Sequence, residues 1–454
     1  MNIHDMPREE WVDQLYDRIH RLLDQGEVRK AQVILQALMP ADQAEIFSDL
    51  PDGEQRQVLQ DLAAEDIADI LEKLENEEVT AIAEWLPPEK LADVLDEMEP
   101  DEAADLLGDL SPAQAADLLE RMEEDQDVRP LLLHPDETAG GLMTSEFLAL
   151  REHMTAASAL EAIRTWETEY EYLYYYVVDD KGELKGVVSL VRLLKAGRFQ
   201  LVGALMRADV IVAPIEADQE TCAHLMSHYD LTSLPVVDAN RRLMGVITID
   251  DVIDVLEDEA TEDIQRLGGA APLEGPYLIT HPLRIFQKRI GWLLLLFVTE
   301  MFTGTVLRHF EGELAKVVAL SFFIPLLVGT GGNAGSQTTS TIIRAVAVGD
   351  VEIKDVLRAF RHEVIVGFLL GMGMGMVAFI RAITWGCSTM LATTVAASIW
   401  AIVLWANCIG SLLPLLAVKM KIDPAIVSGP LMSTLVDATG LFLYLTIARW
   451  LLRL

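Results

Sequence analysis

The chain has 454 residues, 51% of them hydrophobic and 23% charged, with a formal net charge of -36. The charge is unevenly spread: residues 1–270 carry 61 acids against 21 bases, and residues 271–454 carry 10 against 14. Such an acidic surface excludes nucleic acid as a partner, since phosphate binding needs Lys and Arg, and it suits cations.

The split predicts an acidic soluble part followed by a membrane part. The opening stretch MNIHDMPREEWVDQLYD lacks an apolar core and is read as no secretory signal, which places the acidic part in the cytoplasm. Cys222, Cys387 and Cys408 are scattered and suggest neither a disulfide framework nor a thiolate metal site.

Residues 1–130 repeat themselves. LADVLDEMEPDE from Leu91, AADLLGDLSPAQ from Ala103 and AADLLERMEEDQ from Ala115 align at a period of 12, and IADILEKLENEE from Ile67 is a weaker copy. Each unit has apolar pairs at helical spacing, so the pattern predicts short helices stacked as a small solenoid.

Over 131–257 the pattern changes to strands and helices. YLYYYVVDDKGELKGVVSLVRLL reads as strand, turn, strand, helix, and LTSLPVVDANRRLMGVITIDDVIDVL repeats that order. The two units resemble a tandem pair of CBS domains. That resemblance implies a G-h-h-S/T-x-x-D nucleotide motif, which Gly245, Thr248 and Asp251 match; the first unit has Gly186 and Ser189, but Arg192 where the carboxylate would be. ATP or AMP is therefore a candidate ligand at Thr248 and Asp251. CAHLMSH places Cys222, His224 and His228 together, which could serve a metal or be an ordinary polar helix face.

DDVIDVLEDEATEDIQRLGG follows, a helix starting near residue 250 and continuing into a connector assigned to 258–280. Its narrow apolar stripe is flanked by Asp250, Asp251, Asp254, Glu257, Asp258, Glu259, Glu262 and Asp263, and so dense a run of acids repels itself unless cations or a basic neighbour offset it.

Residues 281–454 hold five apolar segments, Ile290–Leu307, Leu314–Ala345, Val364–Ile380, Met390–Val418 and Ala425–Trp450, each long enough to cross ~30 Å of hydrocarbon. Lys and Arg cluster before the first, between the second and third, and between the fourth and fifth, which predicts that those ends face the cytoplasm. The second segment contains PLLVGTGGNAGSQTTS, whose glycines and polar residues suggest either backbone folded against a watery passage or tight small-residue packing. Asp437 lies well inside the fifth, where an ionisable group marks an ion path by default. Glu300 in the first is a second, weaker candidate. A hard dication such as Mg2+, which keeps much of its water, suits one Asp plus neutral oxygens. A protease reading of RHEVIV fails because Val366 stands where a second zinc-binding His is needed.

The fold class expected is thus an α-helical membrane protein, about five transmembrane helices in the lipid bilayer, with a cytosolic α-helical repeat domain and α/β tandem CBS domains. In that order these parts resemble the MgtE family of magnesium channels and transporters, with PLLVGTGGNAGSQ and SGPLMSTLVDATG as the most specific motifs. The resemblance implies a multi-pass homodimer in the inner (cytoplasmic) membrane, Asp437 as the main pore site with Asn333 nearby, a plug-like connecting helix, and closure by cytosolic Mg2+. The implied sensor carboxylates are Asp93, Glu216, Asp218, Asp250, Asp254, Glu257, Asp258, Glu259 and Asp263. ATP in the CBS pair is a further implication. Transport of Co2+, Mn2+ or Ni2+, or a nucleotide-regulated CBS membrane protein without transport, is the alternative.

Overall fold

The computed structural model describes residues 7–166, 172–273, 277 and 280–454, in two compact units, 1–258 and 259–454. The opening residues 1–6 and parts of the 258–280 connector lie outside the described residues.

The repeat is longer in the structure than in the sequence. Eight helices begin at Val28, Pro40, Asp52, Ala64, Asn76, Pro88, Pro100 and Pro112, a steady cadence of 12. Proline opens four of them at the first helical position, where its fixed φ suits the helix and its missing N–H costs nothing. Helices of 8–10 residues are marginal alone. They are held by packing alternate helices against one another, with Ile46, Phe47, Val58, Ile67, Ile70 and Val94 fully enclosed. Each such side chain contributes about 1.5–3 kcal/mol by leaving water. The early units are hard to see in sequence because only their buried positions repeat.

Two three-stranded sheets follow. β1 (Ala149–Arg151) pairs parallel with β2 (Tyr174–Val178), and β2 antiparallel with β3 (Leu184–Ser189). β4 (Ala213–Pro214), β5 (Ser233–Val237) and β6 (Leu243–Thr248) repeat this order. The hairpins match position for position: Tyr174 faces Ser189 as Ser233 faces Thr248, and both shift register at the equivalent Val-Val step. The Asp179 carboxylate accepts the backbone N–H groups of Lys181 and Glu183, and Asp238 accepts those of Asn240 and Arg242, so an Asx turn closes each hairpin. The apolar core of the repeat domain is continuous with the second CBS unit through Ala139, Met143, Ile215, Met226, Val252 and Val255.

The connecting helix spans Ile249–Leu267. Five helices long and apolar enough to cross a membrane follow, Pro282–His309, Val318–Ala347, Ile353–Thr384, Thr389–Lys419 and Gly429–Leu452, and these are called spans one to five. The PLLVGTGGNAGSQTTS stretch differs from the passage-lining backbone reading. It lies within a continuous α-helix, Ile324–Ala347, and a short 3-10 turn, Val318–Phe323, precedes it. Gly331, Gly332 and Gly335 serve close packing, the other option the sequence offered, while Gly329 stays open: a Cβ on Gly331 would lie 2.5 Å from Ile402 and 2.8 Å from Val436. The third span repeats the device, with Gly367, Gly371 and Gly375 against Asn407, Trp400 and Ala396 of the fourth.

Candidate functional site

Within the first unit, the helix Pro100–Asp109 and the start of the connecting helix bring three carboxylates together. Oxygens of Glu99, Asp101 and Asp251 all lie within 4.8 Å of one another. Asp101 is only 6% exposed, and its Oδ1 is enclosed without a hydrogen-bond partner among the described residues. Asp251 is fixed by Thr248, whose hydroxyl and backbone N–H both donate to its Oδ2. The Glu99 backbone N–H donates to Glu72 at 2.7 Å.

Further acids surround this group. Burial pushes the Glu102 carboxyl up to about 8, and those of Glu72 and Asp105 up to about 7, with neighbouring carboxylates adding to the effect. Burial, reinforced by Asp250 and Glu99, raises Asp251 to about 6 against the opposing Thr248 bonds. Asp101 is raised well above the usual carboxylate range by burial first and then by Asp251, Glu102 and Glu99. Lys73 sits among them; burial works against its charge, but Glu99, Glu102, Glu72 and Asp254 together outweigh it and raise it. Glu75, raised by burial, also senses Asp258, Glu257 and Asp254. At an effective dielectric of 20, two charges 4.8 Å apart repel by about 3–4 kcal/mol, so the group favours a bound cation or captured protons.

Of the sensor residues read from sequence, Asp250, Asp254, Glu257 and Asp258 lie on the face of the connecting helix that meets these acids. Asp93 is exposed on the helix Pro88–Glu97, and Glu216 and Asp218 are exposed ahead of the helix Gln219–Tyr229. The sequence reading missed Glu72, Glu75, Glu99, Asp101, Glu102 and Asp105. Part of their signal was present: Glu99, Asp101 and Glu102 surround the Pro100 start of a repeat helix, as Glu89 follows Pro88 one repeat earlier. Thr248 and Asp251, read as nucleotide ligands, are in hydrogen-bond contact, and Asp251 also belongs to the acid group. In the first CBS unit, Arg192 donates instead to the Leu205 carbonyl at 2.7 Å. His224 and His228 lie with ring centroids 6.0 Å apart, whereas Cys222 is buried, its thiol pushed up to about 11 by that burial.

Within the second unit, the end of the connecting helix docks onto the loop before the fifth span. Arg266 ion-pairs with both Glu262 and Asp423, and Asp423 also accepts the Ala425 N–H. Gly269, at φ 75°, lets Trp292 approach so closely that a Cβ would lie 2.6 Å from its indole nitrogen. Asp263 is raised by burial and then by Asp423 and Glu259, with Arg344 opposing.

Inside the spans, Asp437 is half-buried on the fifth. Ser433, one turn before it, abuts Gly332 and Ser336 of the second span. On that second span Asn333, Gln337 and Thr341 form an exposed stripe at a spacing of four, while Thr338 and Thr339 point inward to Asn407 and the Gly410 carbonyl. Hydrocarbon is a poor solvent for an amide stripe beside a carboxylate.

Comparison with known proteins accounts for the whole order of parts. Residues 18–137 match the MgtE intracellular N domain, residues 139–198 and 202–258 match CBS domains, and residues 324–447 match a divalent cation transporter family, MgtE. The chain is 43% identical over 327 residues to the magnesium transporter MgtE of Thermus thermophilus, covering 72% of each. It is 33% identical over 332 residues to the MgtE of Enterococcus faecalis, covering 73% of each. Among solved structures, the cytosolic domain of the Mg2+ channel MgtE in complex with ATP aligns with a TM-score of 0.50 and 35% identity, over 53% of this chain and 99% of that one. The protein therefore carries five membrane spans and an N-terminal cytosolic part, is a transporter and not an enzyme, and belongs to the MgtE family of magnesium transporters.

Proposed function

We propose that this magnesium transporter is a homodimeric channel whose pore is closed by Mg2+ bound among its cytosolic carboxylates. The observation that carries the regulatory reading is the group Glu99, Asp101 and Asp251, with an enclosed Asp101 oxygen that has no hydrogen-bond partner among the described residues. Oxygen-only, anionic donors in a partly dry pocket suit a hard dication. With the ion present, the helix Pro100–Asp109 and the connecting helix are held together. Without it, repulsion among Glu99, Asp101, Asp251, Asp254 and their neighbours drives them apart. Asp250, Glu257 and Asp258 extend that sensing face. Glu259 and Asp263 add to the membrane-side half of the helix, whose end is fixed by the Arg266–Asp423 pair. Asp93, Glu216 and Asp218, exposed in the single chain, would serve as outer ligands.

The conduction path is assigned to Asp437 and the stripe of Asn333, Gln337 and Thr341. Asn333, Gln337 and Thr341 are exposed and Asp437 is half-buried in a single chain, yet all lie inside membrane spans, so a second copy apposing this face would enclose a polar passage and supply a second Asp437. Full-length protein in proteoliposomes tests both parts. Asp437→Asn should abolish Mg2+ uptake, and Asp101→Asn should leave a channel that closes only at higher internal Mg2+. Wild-type flux in the first variant, or an unchanged closing concentration in the second, would refute the corresponding part.

A nucleotide site is a second reading for the CBS pair. It is supported by the Thr248–Asp251 motif and by the ATP complex of the related cytosolic domain.

A further inference from the structure

The second span sends two hydroxyls away from its polar stripe and across to the fourth. Thr338 donates to the side-chain oxygen of Asn407, and Thr339 donates to the Gly410 carbonyl at 3.3 Å. Other threonines in the spans bond the backbone of their own helix one turn back, as Thr341 does with Gln337, Thr394 with Met390 and Thr434 with Pro430. A hydroxyl satisfied in that way needs no second helix, so the two that cross specify how spans two and four meet. Asn407 is fully enclosed, and its amide donates to the Val403 carbonyl at 2.8 Å, which aims its oxygen at Thr338. Close packing leaves the pair little room to shift. A Cβ on Gly367 of span three would lie 2.9 Å from that of Asn407, and one on Gly410 would lie 2.8 Å from the Gly335 carbonyl oxygen and 3.2 Å from the Thr338 Cβ.

Helix geometry relates this contact to the stripe. At 3.6 residues per turn, Asn333 and Thr341 lie about 40° to either side of Gln337, whereas Thr338 and Thr339 lie about 100° and 160° round from it. The rotation of span two about its own axis therefore decides whether the amides face the passage. Lipid supplies no hydrophobic force between helices to set that rotation, since its tails are as apolar as the side chains. Small-residue seams bring the helices close, and directional hydrogen bonds on the enclosed side select one angle. Resting on the assignment of the stripe to the conduction path, we propose that Thr338 and Asn407 are positioning residues for permeation. Their hydrogen bond holds the second span at the rotation that presents Asn333, Gln337 and Thr341 to the hydrated ion. Neither residue touches the ion, and the Thr339–Gly410 bond is the second point of the same clamp.

The test uses full-length protein in proteoliposomes, with Mg2+ uptake followed by an internal dye over a range of external Mg2+. Thr338→Val keeps the shape of the side chain and removes its hydroxyl. It should elute as assembled protein and raise the half-saturating Mg2+ concentration about three- to tenfold, with the maximal rate near wild type. Thr338→Ser, which keeps the hydroxyl, should behave as wild type, and Asn407→Leu should reproduce the Thr338→Val defect. Added to Gln337→Ala, Thr338→Val should bring no further loss, because the stripe it serves is already broken. An unchanged half-saturating concentration in assembled Thr338→Val would overturn the proposal, as would full additivity with Gln337→Ala. So would failure of both Thr338→Val and Asn407→Leu to assemble, because the role would then be structural. Asp437→Asn run in parallel separates the two ideas. If it is dead while Thr338→Val is normal, only the positioning role falls. If Asp437→Asn conducts normally, the pore assignment itself fails.

Discussion

Replacing Asp101 by Asn should make the metal-free protein more stable and its Mg2+ response weaker, an unusual combination of signs. Asp101 is enclosed, has no partner for one oxygen among the described residues, and shares its space with Glu99 and Asp251. Burial first, and then Asp251, Glu102 and Glu99, push its carboxyl well above the usual carboxylate range, so its charged form is disfavoured in the folded protein. Asn removes one negative charge and brings N–H donors. The opposing loss, a carboxylate in the first turn of the helix Pro100–Asp109, is only about 0.3–1 kcal/mol. The expected net gain is about 1–3 kcal/mol at pH 8 in chelator, or roughly 2–12 °C in midpoint at about 2–4 °C per kcal/mol for a unit of this size. Wild-type protein at an ion concentration of 100 Kd should gain ~2.7 kcal/mol from Mg2+, and the variant should lose most of that. Thermal unfolding of the detergent-solubilised full chain, with and without Mg2+, reads both quantities. If Asp101→Asn melts below wild type in chelator and still gains the full Mg2+ shift, the carboxylate group is not the sensor.

The same raised carboxyls give a pH dependence. Because the folded chain holds protons that the unfolded chain releases, the penalty is absent below about pH 4 and grows as pH rises through about 6 for Asp251 and about 8 for Glu102; metal-free protein should therefore melt higher at pH 5.5 than at pH 8, with Mg2+ narrowing the gap. Arg266→Gln or Asp423→Asn should release the end of the connecting helix and leave residual uptake at internal Mg2+ that closes wild type, while the exchange Arg266→Asp with Asp423→Arg should recover closure; flux at graded internal Mg2+ checks this. Gly331→Leu should cost more than about 3 kcal/mol or prevent assembly, since its Cβ alone would lie 2.5 Å from Ile402, and size-exclusion profiles read the loss.

Much of the architecture was legible in the residues. Five apolar runs, a hairpin occurring twice and a 12-residue rhythm are period signals, and each corresponds to elements in the structure. What could not be read was three-dimensional adjacency. PLLVGTGGNAGSQTTS looked like broken backbone because glycine has poor helix propensity in water. In a bundle its lack of a side chain is what lets Gly331 and Gly335 lie against Val436 and Met432, and packing overrides propensity. The acid group was invisible for a related reason. Glu99 and Asp101 look like the ordinary acidic first turn of a short helix, one of many in the repeat. Only the fold places them against Asp251, some 150 residues away, and closes the solvent off from Asp101. By contrast the placement of Asp437 inside a membrane span was readable at once, since its sequence context alone fixes its medium.

Asp251 lies where two ligands would compete or cooperate. Its position in the CBS motif suits a nucleotide, Thr248 already holds one of its oxygens, and its carboxylate belongs to the Glu99–Asp101 group. If a nucleotide and Mg2+ both draw on this residue, their affinities are linked, and linkage is reciprocal: whatever factor Mg2+ applies to ATP binding, ATP applies to Mg2+ binding. Thr248→Val and Asp251→Asn separate the contributions. Removing the hydroxyl frees the carboxylate to turn, so Thr248→Val should weaken ATP binding while stabilisation by Mg2+ persists; Asp251→Asn should weaken both. Titrating ATP calorimetrically at low and high Mg2+ measures the coupling factor directly. A factor of one in the wild type, with Asp251→Asn losing only one ligand, would mean that the two sites do not share this carboxylate.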